Sequence, residues 1–130
     1  MSIAKPRVFL IQDNEDANNL LAGVLWLKGV DAYKFTSAED SIAKMKELEG
    51  KVDVILVSGN IAHDRGTMLI VNIKRINPNS KILVLADEDS QKTRILDYGA
   101  DEFTLKPLSP ENVADKVFML ISREAVVNNR

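Results

Sequence analysis

Short apolar runs recur along the chain and predict five β-strands. Aliphatic runs without polar interruption are typical of parallel strands that are covered on both faces of a sheet. The strongest runs are residues 8–11, 52–57 and 82–85, and the weaker ones are residues 32–35 and 102–105.

The segments between these runs carry apolar residues at helical spacing and predict five helices. They begin and end at residues that favour helix termini, with serines as N-caps and glycine or Asn-Pro as stops. The predicted helices are residues 17–25 stopped near Gly29, residues 37–50 opened by Ser37 and ended by Gly50, residues 68–76, residues 90–98 ended by Gly99, and a last helix opened by Ser109-Pro110.

This alternation predicts a single α/β domain with a doubly wound parallel sheet. Right-handed crossovers then place helices on both faces of the sheet. In open sheets of this kind, functional residues gather outside the carboxyl ends of the strands. The residues expected there are Gln12-Asp13-Asn14, Ser58-Gly59-Asn60, Ala86-Asp87 and Lys106-Pro107.

Composition limits the class of function. The chain has 17 basic and 19 acidic residues, so a net charge of -2 gives no reason to expect nucleic acid or an anionic membrane as a partner. It has no cysteine, which excludes disulfides and thiol chemistry. Without a signal peptide or a membrane-length apolar run, we expect a cytoplasmic protein. The 130 residues fit one domain, with a core over about residues 7–122 and a polar tail over 124–130.

The strand-end clusters, in this order and spacing, resemble the response-regulator receiver family, the CheY-like domains of two-component signalling. The resemblance runs from about residue 7 to residue 122 and includes Gly66 and the sequence Leu105-Lys106-Pro107-Leu108. It implies a flavodoxin-like fold with five parallel strands in the order 2-1-3-4-5 and five helices.

In that family, two acidic residues after the first strand and an aspartate ending the third hold Mg²⁺, and the aspartate accepts a phosphoryl group. A hydroxyl after the fourth strand and a lysine after the fifth bind the phosphoryl oxygens. The chemistry requires these residue types, because a carboxylate is the nucleophile and hard Mg²⁺ prefers carboxylate oxygens. A metal and a cation must also balance the transferring charge.

Several pocket positions of this chain depart from the family pattern. The acidic pair reads Gln12 and Asp13, the phosphoacceptor position is Ser58, the position whose backbone carbonyl faces the metal is Asn60, the hydroxyl position is Ala86, and the lysine is kept as Lys106. Mg²⁺ binding is therefore expected to be weak or absent, with Asp13 as a weak candidate ligand. We favour Asp13 as the N-cap of the first helix, with a hydrogen bond or ion pair to Lys106, and we expect the lysine to turn toward Asp13 or Ser58.

Phe103 occupies the switch position of the fifth strand in the family. Because Ala86 has no hydroxyl to move toward a phosphoryl group, we expect either a locked ring or an ordinary core phenylalanine. His63 and Asp64, in the loop after Ser58, are expected to be ordinary loop residues rather than a catalytic base and a substitute phosphoacceptor.

We therefore expect an atypical receiver, or pseudo-receiver, that is not an enzyme and acts as a phosphorylation-independent protein-interaction module. The alternatives are a phosphorylatable receiver with an unusual acceptor and a small-ligand binder at the strand-end crevice. No glycine-rich phosphate fingerprint supports the last alternative. The expected protein interface is the fourth helix, fifth strand and fifth helix, with Arg94, Tyr98, Phe103 and Lys116, and a homodimer is left open.

Overall fold

Five parallel strands form one sheet in the computed structural model, which describes residues 5–59, 61 and 66–128. The strands are β1 (Arg7–Ile11), β2 (Asp31–Phe35), β3 (Val54–Ser58), β4 (Lys81–Ala86) and β5 (Glu102–Leu105). Their spatial order is β2-β1-β3-β4-β5. The predicted fold class and strand order are confirmed.

Within the described residues, four principal helices connect successive strands and a fifth follows β5. They are α1 (Glu15–Leu27), α2 (Ala38–Glu47), α3 (Gly66–Ile76), α4 (Lys92–Asp97) and α5 (Pro110–Asn128). Helix α4 is shorter than the 90–98 that the sequence predicted, and the Gln91 side chain at its start makes no cap hydrogen bond. In the part of the chain that is described, no helix has the length and apolar character needed to cross a bilayer.

Apolar side chains are buried on both faces of the sheet, which explains why the strands read as unbroken aliphatic runs. In β1, Val8 and Leu10 belong to a layer beneath α1 and α5. Phe9 and Ile11 belong to the opposite layer, beneath α2 and α3. All four are fully buried. Successive strand residues alternate between the two faces, so the same rule assigns the side chains at each strand end.

Hydroxyl caps fix the starts of two helices as predicted. Ser37 Oγ accepts a hydrogen bond from Asp40 N at 3.2 Å, and Ser109 Oγ accepts one from Asn112 N at 3.1 Å. The expected cap of α1 was wrong. Asn14, not Asp13, accepts from Ala17 N at 3.0 Å, because Asn14 is the extended residue directly before the first helical turn.

A partly buried carboxylate network ties α3 to the strand pair β4 and β5. Asp101 Oδ2 accepts hydrogen bonds from Ile82 N at 2.8 Å and from Lys74 Nζ at 2.8 Å. Lys74 Nζ also donates to Ser80 O at 2.6 Å. Removing Asp101 would therefore leave a backbone amide and an ammonium group without this shared acceptor.

Candidate functional site

The candidate site lies at the carboxyl edge of the sheet, where four strands end side by side. Ile11 of β1 is paired with Val57 of β3, and Ser58 is paired with Leu85 of β4. Ala86 is paired with Leu105, the residue before Lys106. The strand register thus brings the ends of β1, β3, β4 and β5 to one edge, as the sequence predicted.

Ser58, at the phosphoacceptor position, is completely enclosed. Its exposed fraction is 0%, and strand alternation directs it to the face of Val54 and Leu56, beneath α1 and α5. Its Oγ atom has no hydrogen-bond partner among the described residues. A buried hydroxyl that makes no hydrogen bond is uncommon and costs free energy.

Gln12, in place of an acidic residue, belongs to a buried polar network. Its Nε2 atom donates to Asn18 Oδ1 at 2.8 Å. Asn18 Nδ2 in turn donates to Leu10 O at 3.3 Å and to Phe35 O at 3.0 Å. The carboxamide of Gln12 therefore joins the start of α1 to the ends of β1 and β2.

Asn18 is a site residue that the sequence reasoning missed. It is 1% exposed and lies on the buried face of α1, among Leu21, Ala22 and Leu25. The available signal was an amide at a position where helical spacing demands an apolar residue. A polar residue on such a face must find hydrogen-bond partners inside the protein.

Ala86, at the hydroxyl position, packs closely against the backbone of Gly59. A Cβ atom on Gly59 would lie 2.8 Å from Ala86 Cβ and 2.9 Å from Ala86 Cα. The chain leaving β3 therefore passes so near to the end of β4 that only glycine fits without a shift. Beside this contact is a small cavity of about 80 Å³, which Ile95 and Phe103 also line.

Phe103, at the switch position, is half-buried and packs at the margin of the apolar layer beneath α2 and α3. Its side chain is therefore neither fully exposed nor enclosed in the core.

Asp13 and Lys106 are not joined by an ion pair within the described residues, contrary to our expectation. Lys106 is half-buried, while Asp13 is exposed and takes part in a polar interaction of its own. Strands β1 and β5 are separated by β3 and β4, a span of about 14 Å at the usual strand spacing. Lys106 does not hydrogen-bond to Ser58 either, since the serine Oγ has no described partner.

A groove of about 530 Å³ opens beside this pocket, between α1 and the start of α5. Its walls are mostly apolar, and its charged lining residues are Asp87 and Lys106. Asp87 is exposed.

Three residues discussed from the sequence, Asn60, His63 and Asp64, lie outside the described residues. Among those that are described, no three His, Cys, Asp or Glu side chains are grouped as they would be to hold a metal ion.

The expected interface residues lie on α4, β5 and α5. Arg94 and Tyr98 are exposed, with the guanidinium carbon 5.9 Å from the centre of the Tyr98 ring. Lys116 on α5 is half-buried.

Comparison with known proteins identifies the family. The chain belongs to the response regulator receiver domain family, which matches residues 8–118. It is accordingly a receiver domain of two-component signalling, and the predicted family is confirmed.

The similar proteins include both single-domain and longer regulators. The chemotaxis protein CheY of Thermotoga maritima is 28% identical over 112 residues, which cover 84% of this chain and 92% of CheY. The aerobic respiration control protein ArcA of Escherichia coli is 21% identical over 120 residues, which cover 91% of this chain and 49% of ArcA. The chain therefore spans about half the length of that relative.

Solved structures support the fold. A CheY-like receiver domain protein from Methanospirillum hungatei has a TM-score of 0.82 and 18% identity, covering 94% of this chain and 98% of that one. The beryllofluoride-activated NtrC4 receiver domain dimer has a TM-score of 0.81 and 23% identity, covering 91% and 98%. At these identities the likeness concerns the fold alone.

Proposed function

We propose that this receiver domain is a protein-interaction module whose signalling state does not depend on phosphorylation at position 58. The observation that carries the proposal is Ser58, a serine that is 0% exposed at the phosphoacceptor position. A serine hydroxyl needs a neighbouring base to become a nucleophile. Its Oγ atom has no hydrogen-bond partner among the described residues, so no described base is in position to activate it.

The neighbouring positions support the same reading. The carboxamide of Gln12 is engaged with Asn18, so it serves as a structural link where the family has an acidic residue. Ala86 offers no hydroxyl to a phosphoryl oxygen, and the Gly59 backbone packs closely against its side chain. Among the described residues, a phosphoryl group at this place would meet a neutral amide, a methyl group and the cation of Lys106.

The donor set also does not suit Mg²⁺. Of the acidic residues that hold this ion in the family, Asp13 is the one that this chain keeps. Mg²⁺ gives up its hydration water reluctantly and needs carboxylate oxygens near an octahedral geometry. A buried serine hydroxyl and a carboxamide that is already hydrogen-bonded are poor replacements. We therefore expect weak or no Mg²⁺ binding, and the proposed function includes no step through the metal.

The proposed partner surface is formed by α4, β5 and α5. Tyr98 is 43% exposed and lies beside the guanidinium of Arg94, an arrangement of aromatic and arginine side chains that is enriched in protein interfaces. Phe103 and Lys116 are half-buried on the adjoining elements. A protein partner that binds there would recognise this surface without any phosphorylation of the pocket.

Phosphorylation is tested by incubating the protein with acetyl phosphate and Mg²⁺ and recording its intact mass. We expect no adduct on the natural sequence. The matched control is the variant Gln12→Asp/Ser58→Asp, which restores two carboxylates and should gain one phosphoryl group. Adding Ala86→Thr would restore the hydroxyl but also place new atoms near Gly59. A stoichiometric adduct on the natural protein would refute the proposal.

Intact mass is a better readout than tryptophan fluorescence, because Trp26 is remote from the pocket. Trp26 lies in the last turn of α1, and its Nε1 atom donates a hydrogen bond to Ala32 O of β2 at 3.1 Å. The 13 residues of α1 span about 20 Å, and the pocket lies at the opposite end of the helix.

Small-ligand binding is a second candidate function, which the groove of about 530 Å³ favours. Its size is within the usual range for ligand sites, and its apolar walls end at Lys106. The class of ligand that we propose is a small amphipathic acid, with its carboxylate at Lys106 and away from Asp87, which also lines the groove. A chemical-shift screen with short fatty acids, repeated on Lys106→Met, tests this. Binding that Lys106→Met leaves unchanged, or no binding at all, would reject it.

A further inference from the structure

We propose that the outward face of α1 is a docking surface for α1 of a second copy of this chain, in an antiparallel pair. This outward face is defined by Asp16, Leu20, Gly23 and Leu27. It belongs to α1, whereas the proposed partner surface is formed by α4, β5 and α5. The proposal does not depend on whether Ser58 is phosphorylated.

Two leucines on this face are exposed to an unusual degree. Leu20 is 65% exposed and Leu27 is 91% exposed, whereas Leu21 and Leu25 on the opposite face are buried. The two exposed leucines are seven residues apart, so they lie on the same side of the helix, about 10 Å from each other along its axis. This spacing is the repeat by which helices pack against one another. Leu20 borders the groove between α1 and the start of α5, yet most of its side chain is still exposed, as is nearly all of Leu27.

Gly23 lies between these leucines and has no reason within the subunit to be glycine. It is in the middle of a 13-residue helix, where glycine disfavours helix formation relative to alanine. A Cβ atom placed on it would have no heavy atom within 4 Å. Gly23 therefore makes a notch between Leu20 and Leu27, and such a notch allows a second helix to approach closely.

The charges at the two ends of α1 favour a second copy in the antiparallel direction. The first turn carries Glu15 and Asp16, and Lys28 follows the last turn as the C-cap. In an antiparallel pair that crosses at the notch, Lys28 of each copy lies opposite Asn19 of the other, about 5 Å along the axis from Asp16, a distance that a lysine side chain can span. Leu20 of one copy then meets Leu27 of the other, so a two-fold axis makes both contacts twice. Antiparallel helix dipoles add to this complementarity.

A single pair of short helices buries less area than a stable dimer interface requires. We therefore expect a weak dimer, with a dissociation constant between about 10 μM and 1 mM. Sedimentation velocity over a concentration series across this range tests for it. Trp26 is 51% exposed and adjoins Leu27, so its emission should shift to shorter wavelength as the dimer forms.

The variants Leu20→Gln and Leu27→Gln should each raise the dissociation constant about tenfold or more, because each removes an apolar contact twice. The matched control is Met119→Gln on α5. Met119 is 54% exposed, so the control removes a similar apolar side chain from another surface. It should leave self-association unchanged.

Gly23→Ala separates an interface effect from a folding effect. The new methyl group meets nothing within the subunit, so it should raise the thermal midpoint of the monomer. It fills the notch, so it should also weaken self-association. Two results would overturn the proposal: a monomer at every concentration, or a dimer that Leu20→Gln, Leu27→Gln and Gly23→Ala leave intact.

Discussion

Replacing Ser58 by alanine should make this protein more stable, although serine and alanine differ by only one oxygen atom. The Ser58 side chain is 0% exposed, so its hydroxyl loses all contact with water on folding. The Oγ atom regains no hydrogen bond within the described structure. Alanine keeps the Cβ atom and removes the group that carries this cost.

The expected gain follows from the cost of burying an unpaired hydroxyl, about 1–3 kcal/mol in protein substitution data. Removing the oxygen also leaves a small void, which takes back part of that gain. We therefore expect Ser58→Ala to raise the free energy of unfolding by about 1–2 kcal/mol. For a domain of this size, that corresponds to an increase in melting temperature of roughly 3–8 °C.

Ser80 provides a matched control within the same chain. It is also 0% exposed, but its Oγ donates to Asn77 O at 2.9 Å. Ser80→Ala should therefore lower the free energy of unfolding by about 1 kcal/mol. Both variants are measured by urea unfolding followed by circular dichroism, with equal m-values as the check on two-state behaviour. If Ser58→Ala destabilises the protein as much as Ser80→Ala does, the Ser58 hydroxyl has a partner and the reasoning is wrong.

Three further substitutions test the packing around the site and the fold, each by the same unfolding measurement. Gly59→Ala should lower the free energy of unfolding by about 1–3 kcal/mol, because the new Cβ would lie 2.8 Å from Ala86 Cβ. The control Gly23→Ala, whose new Cβ has no heavy atom within 4 Å, should raise it by up to about 1 kcal/mol. Equal effects of the two substitutions would contradict the close approach at Ala86. Asp101→Ala should cost about 2–3 kcal/mol because Ile82 N and Lys74 Nζ lose their acceptor, while exposed Asp97→Ala should be nearly neutral. Asn14→Ala should cost about 1 kcal/mol by removing the α1 cap, and a neutral result would mean that the cap bond contributes nothing.

The fold was predictable because its signals are local and repeated. Unbroken aliphatic runs require burial on both faces, and helical repeats between them leave a doubly wound sheet as the simple solution. The serine caps at Ser37 and Ser109 followed from the residues that flank each repeat. The cap of α1 was misassigned because Asp13 and Asn14 both suit this role. Which of the two residues lies directly before the first turn of α1 depends on where β1 ends.

The identities of the pocket residues could likewise be taken from the strand ends, but their interactions could not. Sequence placed Gln12, Ser58, Ala86 and Lys106 at the carboxyl edge, and the strand pairing there agrees. The predicted ion pair between Asp13 and Lys106 was wrong, because the prediction did not take into account the two strands that lie between β1 and β5. Asn18 was missed because its role requires partners on β1 and β2 that come together only in the folded chain.

By itself, the sequence determined the class of fold and the family, because these depend on residue type and order. It also showed that position 12 lacks the family's acidic residue, position 58 its aspartate and position 86 its hydroxyl. The tertiary structure decided how that pocket is filled. Only packing could show that Ser58 is fully enclosed, that Gly59 lies against Ala86, and that Leu20 and Leu27 are exposed on α1. Burial and close approach depend on distances between segments far apart in the chain, and these distances are set when the helices pack on the sheet.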